Sequence, residues 1–80
     1  MVKWLAVNED DMIRFICDDR KDAMICACDE ARNDIEQGFD PDMYRFIHAE
    51  YIGDPSGVEN TPYGVHLKDD IYSEENWRLV

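Results

Sequence analysis

The soft metal ligands and strongest nucleophiles or bases of this 80-residue sequence are Cys17, Cys26, Cys28, His48 and His66. Structural zinc wants paired Cys-x₂₋₄-Cys spacings, and Cys26-Ala27-Cys28 offers one Cys-x-Cys pair without a second. On a helix those two thiols diverge by about 200°, so they cannot close on one ion. A nucleophilic site needs a nucleophile, a base and an orienting group in one cleft. Cys17, Cys26, Ser56 and Ser73 are the nucleophiles and His48 and His66 the bases, but no signature links them. The glycines stand singly at 38, 53, 57 and 64, so no phosphate-cradling loop is present. The acid clusters Glu9-Asp10-Asp11, Asp18-Asp19, Asp69-Asp70 and Glu74-Glu75 do not match a twelve-residue calcium loop. The expectation is a protein that is not an enzyme and carries no cofactor and no metal.

What the sequence has in excess is negative charge. Nineteen acids against eight Lys and Arg give a net charge of −11. Residues 1–40 carry a net of −6 and residues 41–80 a net of −5, so the charge belongs to a folded surface rather than a tail. Direct contact with nucleic acid or an anionic membrane is excluded, because like charges repel. An apolar fraction of 45% argues against disorder. No segment reaches the length of a membrane span. The start, Met1 to Val7, has too short an apolar run for a secretory leader. With an odd number of thiols, that points to a cytoplasmic protein with reduced cysteines.

The elements that must position these residues make one α+β domain over residues 1–80. Val2–Val7 and Met12–Cys17 read as strands of an N-terminal hairpin around the polar turn Asn8–Asp11. The alternative for residues 9–19, a helix capped by Asn8, fits Met12, Phe15 and Ile16 as well. A helix is predicted over about 20–37, capped by Asp18 or Asp19 and stopped by Gly38. Its expected buried stripe is Met24, Ala27, Cys28, Ala31 and Ile35, with Cys28 inside and Cys26 peripheral. Asp40-Pro41 predicts a second helix over about 41–52, with a stripe of Met43, Phe46, Ile47 and Tyr51 and an end at Gly53. Glu50 falls inside that stripe and must reach the rim or find a partner. Residues 54–62 read as a loop, 63–68 as a strand, and Ile71-Tyr72 and 77–80 as sheet extensions, giving one or two C-terminal strands in an antiparallel sheet.

On the first helix Asp22, Asp29 and Glu36 recur every seven residues, about 10.5 Å apart along the axis. Asp18, Asp19, Asp40 and Asp42 flank them, and residues 18–42 carry a net of −6. Such a face attracts a Lys/Arg groove that normally holds DNA or RNA. In size and charge the chain is similar to small phage-encoded inhibitors of host defence, the antirestriction and anti-CRISPR proteins. The resemblance is one of size and charge and implies a DNA-mimic-like inhibitor; the acidic face gives the expected contacts to a basic nucleic-acid-binding protein or complex as Asp18, Asp19, Asp22, Asp29, Glu36, Asp40 and Asp42. The competing expectation is a structural or regulatory protein-protein interaction module, with a homodimer as one form, whose acids serve solubility only. Among the aromatics, Tyr44, Tyr63 and Trp77 become interface anchors if they are exposed.

Overall fold

Every residue except 54–56, 63 and 68–69 is described by the structure, a computed structural model, and Val58, Glu59, Thr61 and Val65–Leu67 are described by backbone alone. The chain runs β1 (Val2–Val7), β2 (Ile13–Cys17), α1 (Arg20–Glu36), β3 (Arg45–Tyr51), β4 (Val58–Thr61) and β5 (Gly64–Leu67). A 3-10 turn (Glu74–Asn76) then leads into β6 (Trp77–Leu79). The main sheet is antiparallel in the order β2-β1-β3-β6, and β4 and β5 form a separate antiparallel pair.

The hairpin forms as its alternation predicts, and Asn8 shapes its turn. Asn8 is buried, and its Oδ1 accepts the backbone N–H groups of Asp10 and Met12, both at 3.0 Å. Asp11 takes the left-handed conformation there, at φ 61°. Residues opposite each other on antiparallel strands share a sheet face. One face therefore carries the rows Ile16-Leu5-Ile47 and Ala49-Lys3, followed by Tyr51 opposite Trp77. Leu5, Val7, Ile13, Ala49, Tyr51 and Trp77 form its buried cluster. The Tyr51 and Trp77 rings meet edge-on at 5.2 Å, and the Trp77 indole N–H donates to the Ile71 carbonyl at 2.8 Å. Gly53 is part of this packing: a Cβ there would lie 2.6 Å from the Tyr51 hydroxyl.

The opposite face carries the row Phe15-Ala6-Phe46, a trough with aromatic walls and an alanine floor. Helix α1 lies over this face, chiefly across β1 and β2. Its buried residues are Ala23 and Ala27, with Cys26, Glu30, Ala31 and Asp34 half-buried. That stripe is rotated by about a quarter-turn from the expected one, at 100° per residue. Met24, Cys28 and Ile35 are exposed as a result, Ile25 is exposed beside them, and the expected positions of Cys26 and Cys28 are exchanged. The reason is steric: a narrow trough floored by Ala6 admits methyl groups and excludes Met and Ile. Gly38, at φ 84°, ends the helix in a Schellman motif. Its N–H bonds the Ile35 carbonyl at 3.1 Å, and the Phe39 N–H bonds the Asp34 carbonyl at 2.8 Å.

Only one of the two expected helices exists. Residues 45–51 of the expected second helix are β3, paired on both edges. Ile47, Ala49 and Tyr51 face one side at a period of two, while Phe46 faces the helix. The stripe that suggested 3.6-residue periodicity thus mixed two sheet faces. Asp40-Pro41 lies in the non-helical connection before β3, because proline's fixed φ suits extended chain as well as a first helical turn. Within the expected loop 54–62, residues 58–61 are β4, and 54–56 lie outside the described residues. The expected strand 63–68 is β5 at Gly64–Leu67, with Tyr63 and Lys68 outside the described residues. Ile71-Tyr72 is a turn, and the last strand is in place as β6.

The helix phase can be checked with two variants. Ala27→Leu overfills the trough and is expected to cost about 1–3 kcal/mol in urea unfolding. Met24→Ala changes an exposed side chain and is expected to stay within about 0.5 kcal/mol. The reverse ranking would restore the stripe read from the sequence. Likewise Gly53→Ala drives a methyl into the Tyr51 ring and is expected to lower the unfolding free energy by about 1–3 kcal/mol.

Candidate functional site

The outward surface of α1 divides along its length. Asp22, Asp29 and Glu36 form a nearly straight exposed row, spanning about 21 Å at 1.5 Å per residue. Asp19 lies at the N-terminal end of this ridge and Asp40 beyond its C-terminal end, both exposed. Asp19 occupies the N-cap position, but its side chain makes no capping hydrogen bond. Among the described residues Asp19, Asp22, Glu36 and Asp40 make no ion pair, and Asp29 has a loose one with Arg32 at 3.9 Å.

Two of the expected contact residues are committed elsewhere. Asp18 pairs with the Lys3 ammonium. Asp42 is half-buried, takes a hydrogen bond from Asn8 Nδ2 at 3.5 Å, and pairs with Arg14 at 3.4 Å. Arg14 is the extra residue of the β-bulge on β2, which frees it to reach Asp42 and also Glu30 at 3.8 Å. These charges tie the hairpin to the helix and to the 40–44 connection. Of the expected set, Asp19, Asp22, Glu36 and Asp40 hold no ion pair among the described residues and Asp29 holds only a loose one.

Beside the ridge lies an apolar surface that includes Met24 and Cys28, two residues that periodicity assigned to the core. Met24, Ile25 and Cys28, with Arg20, Lys21, Asp29 and Arg32 around them, line a shallow groove of about 450 Å³. Met24 is 39% exposed, Ile25 47% and Ile35 62%. Three of the eight basic residues gather here. The Arg20 guanidinium lies 5.8 Å from the centre of the Phe46 ring, a cation–π contact at the trough wall. Ala23 and Ala27 are four residues apart, the spacing of a small-residue seam, but the buried stripe they belong to also holds Glu30 and Asp34 and so is less apolar than the exposed one.

The remaining reactive groups are quiet. Burial, then the adjoining Cys26 thiol, then Asp22 and Asp18 raise the Cys17 pKa above 9.0. The thiol stays protonated at neutral pH, which lowers its nucleophilicity. His48 is stacked on Trp4 with ring centres 4.6 Å apart, and Trp77 is a core residue rather than an exposed anchor. Tyr44 is half-buried beside Phe15. Its hydroxyl has no partner among the described residues, and burial, the largest cause, raises its pKa. Tyr63 and the His66 side chain lie outside the described residues. Among the described residues, no three His, Cys, Asp or Glu side chains group as metal ligands, and no helix is long and apolar enough to cross a membrane.

Glu50, expected inside a helix stripe, lies instead on β3 and has a partner. It faces Arg78 across the β3–β6 register, with Oε2 2.6 Å from the guanidinium. The Arg78 hydrogen bond and charge hold its carboxyl below the ordinary 4.5. No protein-family model, curated protein or solved structure matches this chain.

A carboxylate with a depressed folded pKa adds stability above the unfolded-state pKa and loses it as the pH falls through the folded value. NMR titration of the side-chain carboxyl is expected to place the Glu50 midpoint below 4.5. Arg78→Gln should return it to the ordinary value, and an unmoved midpoint would contradict the pairing.

Proposed function

We propose that this chain is a non-enzymatic acidic binding protein that blocks a basic nucleic-acid-binding surface of a host complex. It resembles, in mode of action, the DNA-mimicking antirestriction and anti-CRISPR proteins. The observation that carries the reading is the row of Asp22, Asp29 and Glu36, exposed in line on one helix at steps of about 10.5 Å. A helix fixes carboxylates at set distances. A rigid charge array binds a pre-formed cationic groove without the ordering cost of a disordered acidic tail. Asp19 and Asp40 extend the array at its ends. With a net charge of −11, the whole chain adds long-range attraction to a basic partner. The acids engaged by Lys3 and Arg14 hold the fold and stand outside the binding surface.

The test is capture of host proteins on the immobilised chain, followed by kinetics with the purified partner. The expected partner binds DNA or RNA, is displaced by that nucleic acid, and dissociates as salt rises. Reversal of Asp22, Asp29 and Glu36 to Lys together is expected to slow association about tenfold or more at low salt. The circular dichroism spectrum should not change. Unchanged, salt-insensitive binding by the triple variant would defeat the proposal.

A further inference from the structure

We infer that the apolar flank of α1 is the contact surface for a second copy of this chain, packed as an antiparallel, two-fold helix pair. This does not rest on the inhibitor reading; it stands on the groove of Met24, Ile25 and Cys28, its continuation at Ile35, and the charges around it. Ile35 lies two turns beyond Cys28 on the same side of the helix, with Arg32 between them, and nothing among the described residues covers these side chains.

Charge decides the occupant. The apolar strip is bordered by Lys21 and Arg32, and beyond them by Asp22, Asp29 and Glu36. It therefore suits an apolar helix with an acidic border, and α1 itself is such a helix. In a two-fold antiparallel pair, like flanks meet, and each residue faces its counterpart in reversed order. With the axis beside Cys28, residues whose numbers sum to about 56 stand opposite one another. Lys21 then faces Glu36 of the second copy, and Arg32 lies within a turn of the second copy's Asp22. Each pair occurs twice. Met24 and Ile35 pack against the aliphatic stems of Arg32 and Lys21 from the other copy. A parallel pair would instead set Lys21 near Lys21 and lose this matching.

Sedimentation equilibrium of the purified chain is the test, run over a concentration series with no partner present. A monomer–dimer equilibrium with a Kd in the micromolar range is expected. Met24→Glu, on an exposed position, should weaken it by about tenfold or more. Lys21→Glu alone should weaken it about fivefold, and Lys21→Glu with Glu36→Lys should restore it, because the double reversal re-forms both pairs. A monomer at every concentration overturns the inference, as does a dimer indifferent to Met24→Glu. Failure of the double reversal to restore the dimer overturns the antiparallel register. Loss of dimerisation leaves a host-protein interaction in the capture experiment intact, so the two proposals fail separately.

Discussion

The fit of a helix into a trough floored by one alanine governs the rest of the molecule. Strand β1 is covered on both sides, and Leu5, Ala6 and Val7 are each 0% exposed. On one side Leu5 and Val7 have room for full-sized neighbours. On the other, Phe15 and Phe46 flank Ala6 from the adjacent strands and leave only a narrow slot. Ala23 and Ala27 are the helix residues that fit it. Close approach of backbone to sheet then replaces side-chain bulk as the source of packing. Everything larger on α1 is turned outward or sideways.

That single constraint connects the fold to the surface. Because Ala23 and Ala27 set the rotation of α1, they also set where its charges and apolar groups point. Asp22, Asp29 and Glu36 become an exposed ridge, and Met24, Ile25, Cys28 and Ile35 an exposed flank bordered by bases. Glu30 and Asp34 are drawn in towards the sheet, where Arg14 compensates Glu30. A small protein with a thin core has little stability in reserve. Holding several large apolar side chains outside the core is costly for such a chain unless a contact surface uses them.

The charge that looks uniform in composition is divided in space by role. Asp18, Asp42, Asp11, Glu50 and Glu74 are opposed to Lys3, Arg14, Arg45 and Arg78, and they join segments distant in sequence. Exposed pairs of this kind contribute little stability individually. They do fix which acids are spoken for. Within one chain Asp19, Asp22, Glu36 and Asp40 have no ion-pair partner among the described residues, and they add to the negative potential of the surface. Adjacency in sequence could not sort these two groups, because each ion pair depends on a strand register or a bulge.

Local chemistry by itself determined several elements. The β-forming run over 2–7 is legible as a strand and Gly38 as a stop because a left-handed residue is needed there, while residues 13–17 read equally as strand or helix until the sheet pairs them. The seven-residue spacing of Asp22, Asp29 and Glu36 fixes a row on any helix, whatever its rotation. Tertiary structure alone decided three things. It made residues 45–51 a central strand, because β1 and β6 offered hydrogen bonds on both edges, and a short apolar run reads equally as helix or strand. It chose the alanine seam over the more apolar stripe, because the sheet presented a slot rather than an open apolar surface. It selected which carboxylates stay free, because ion pairing follows distance in space. The periodicity of a sequence records which residues are apolar; which of them are buried depends on the shape of the surface they meet.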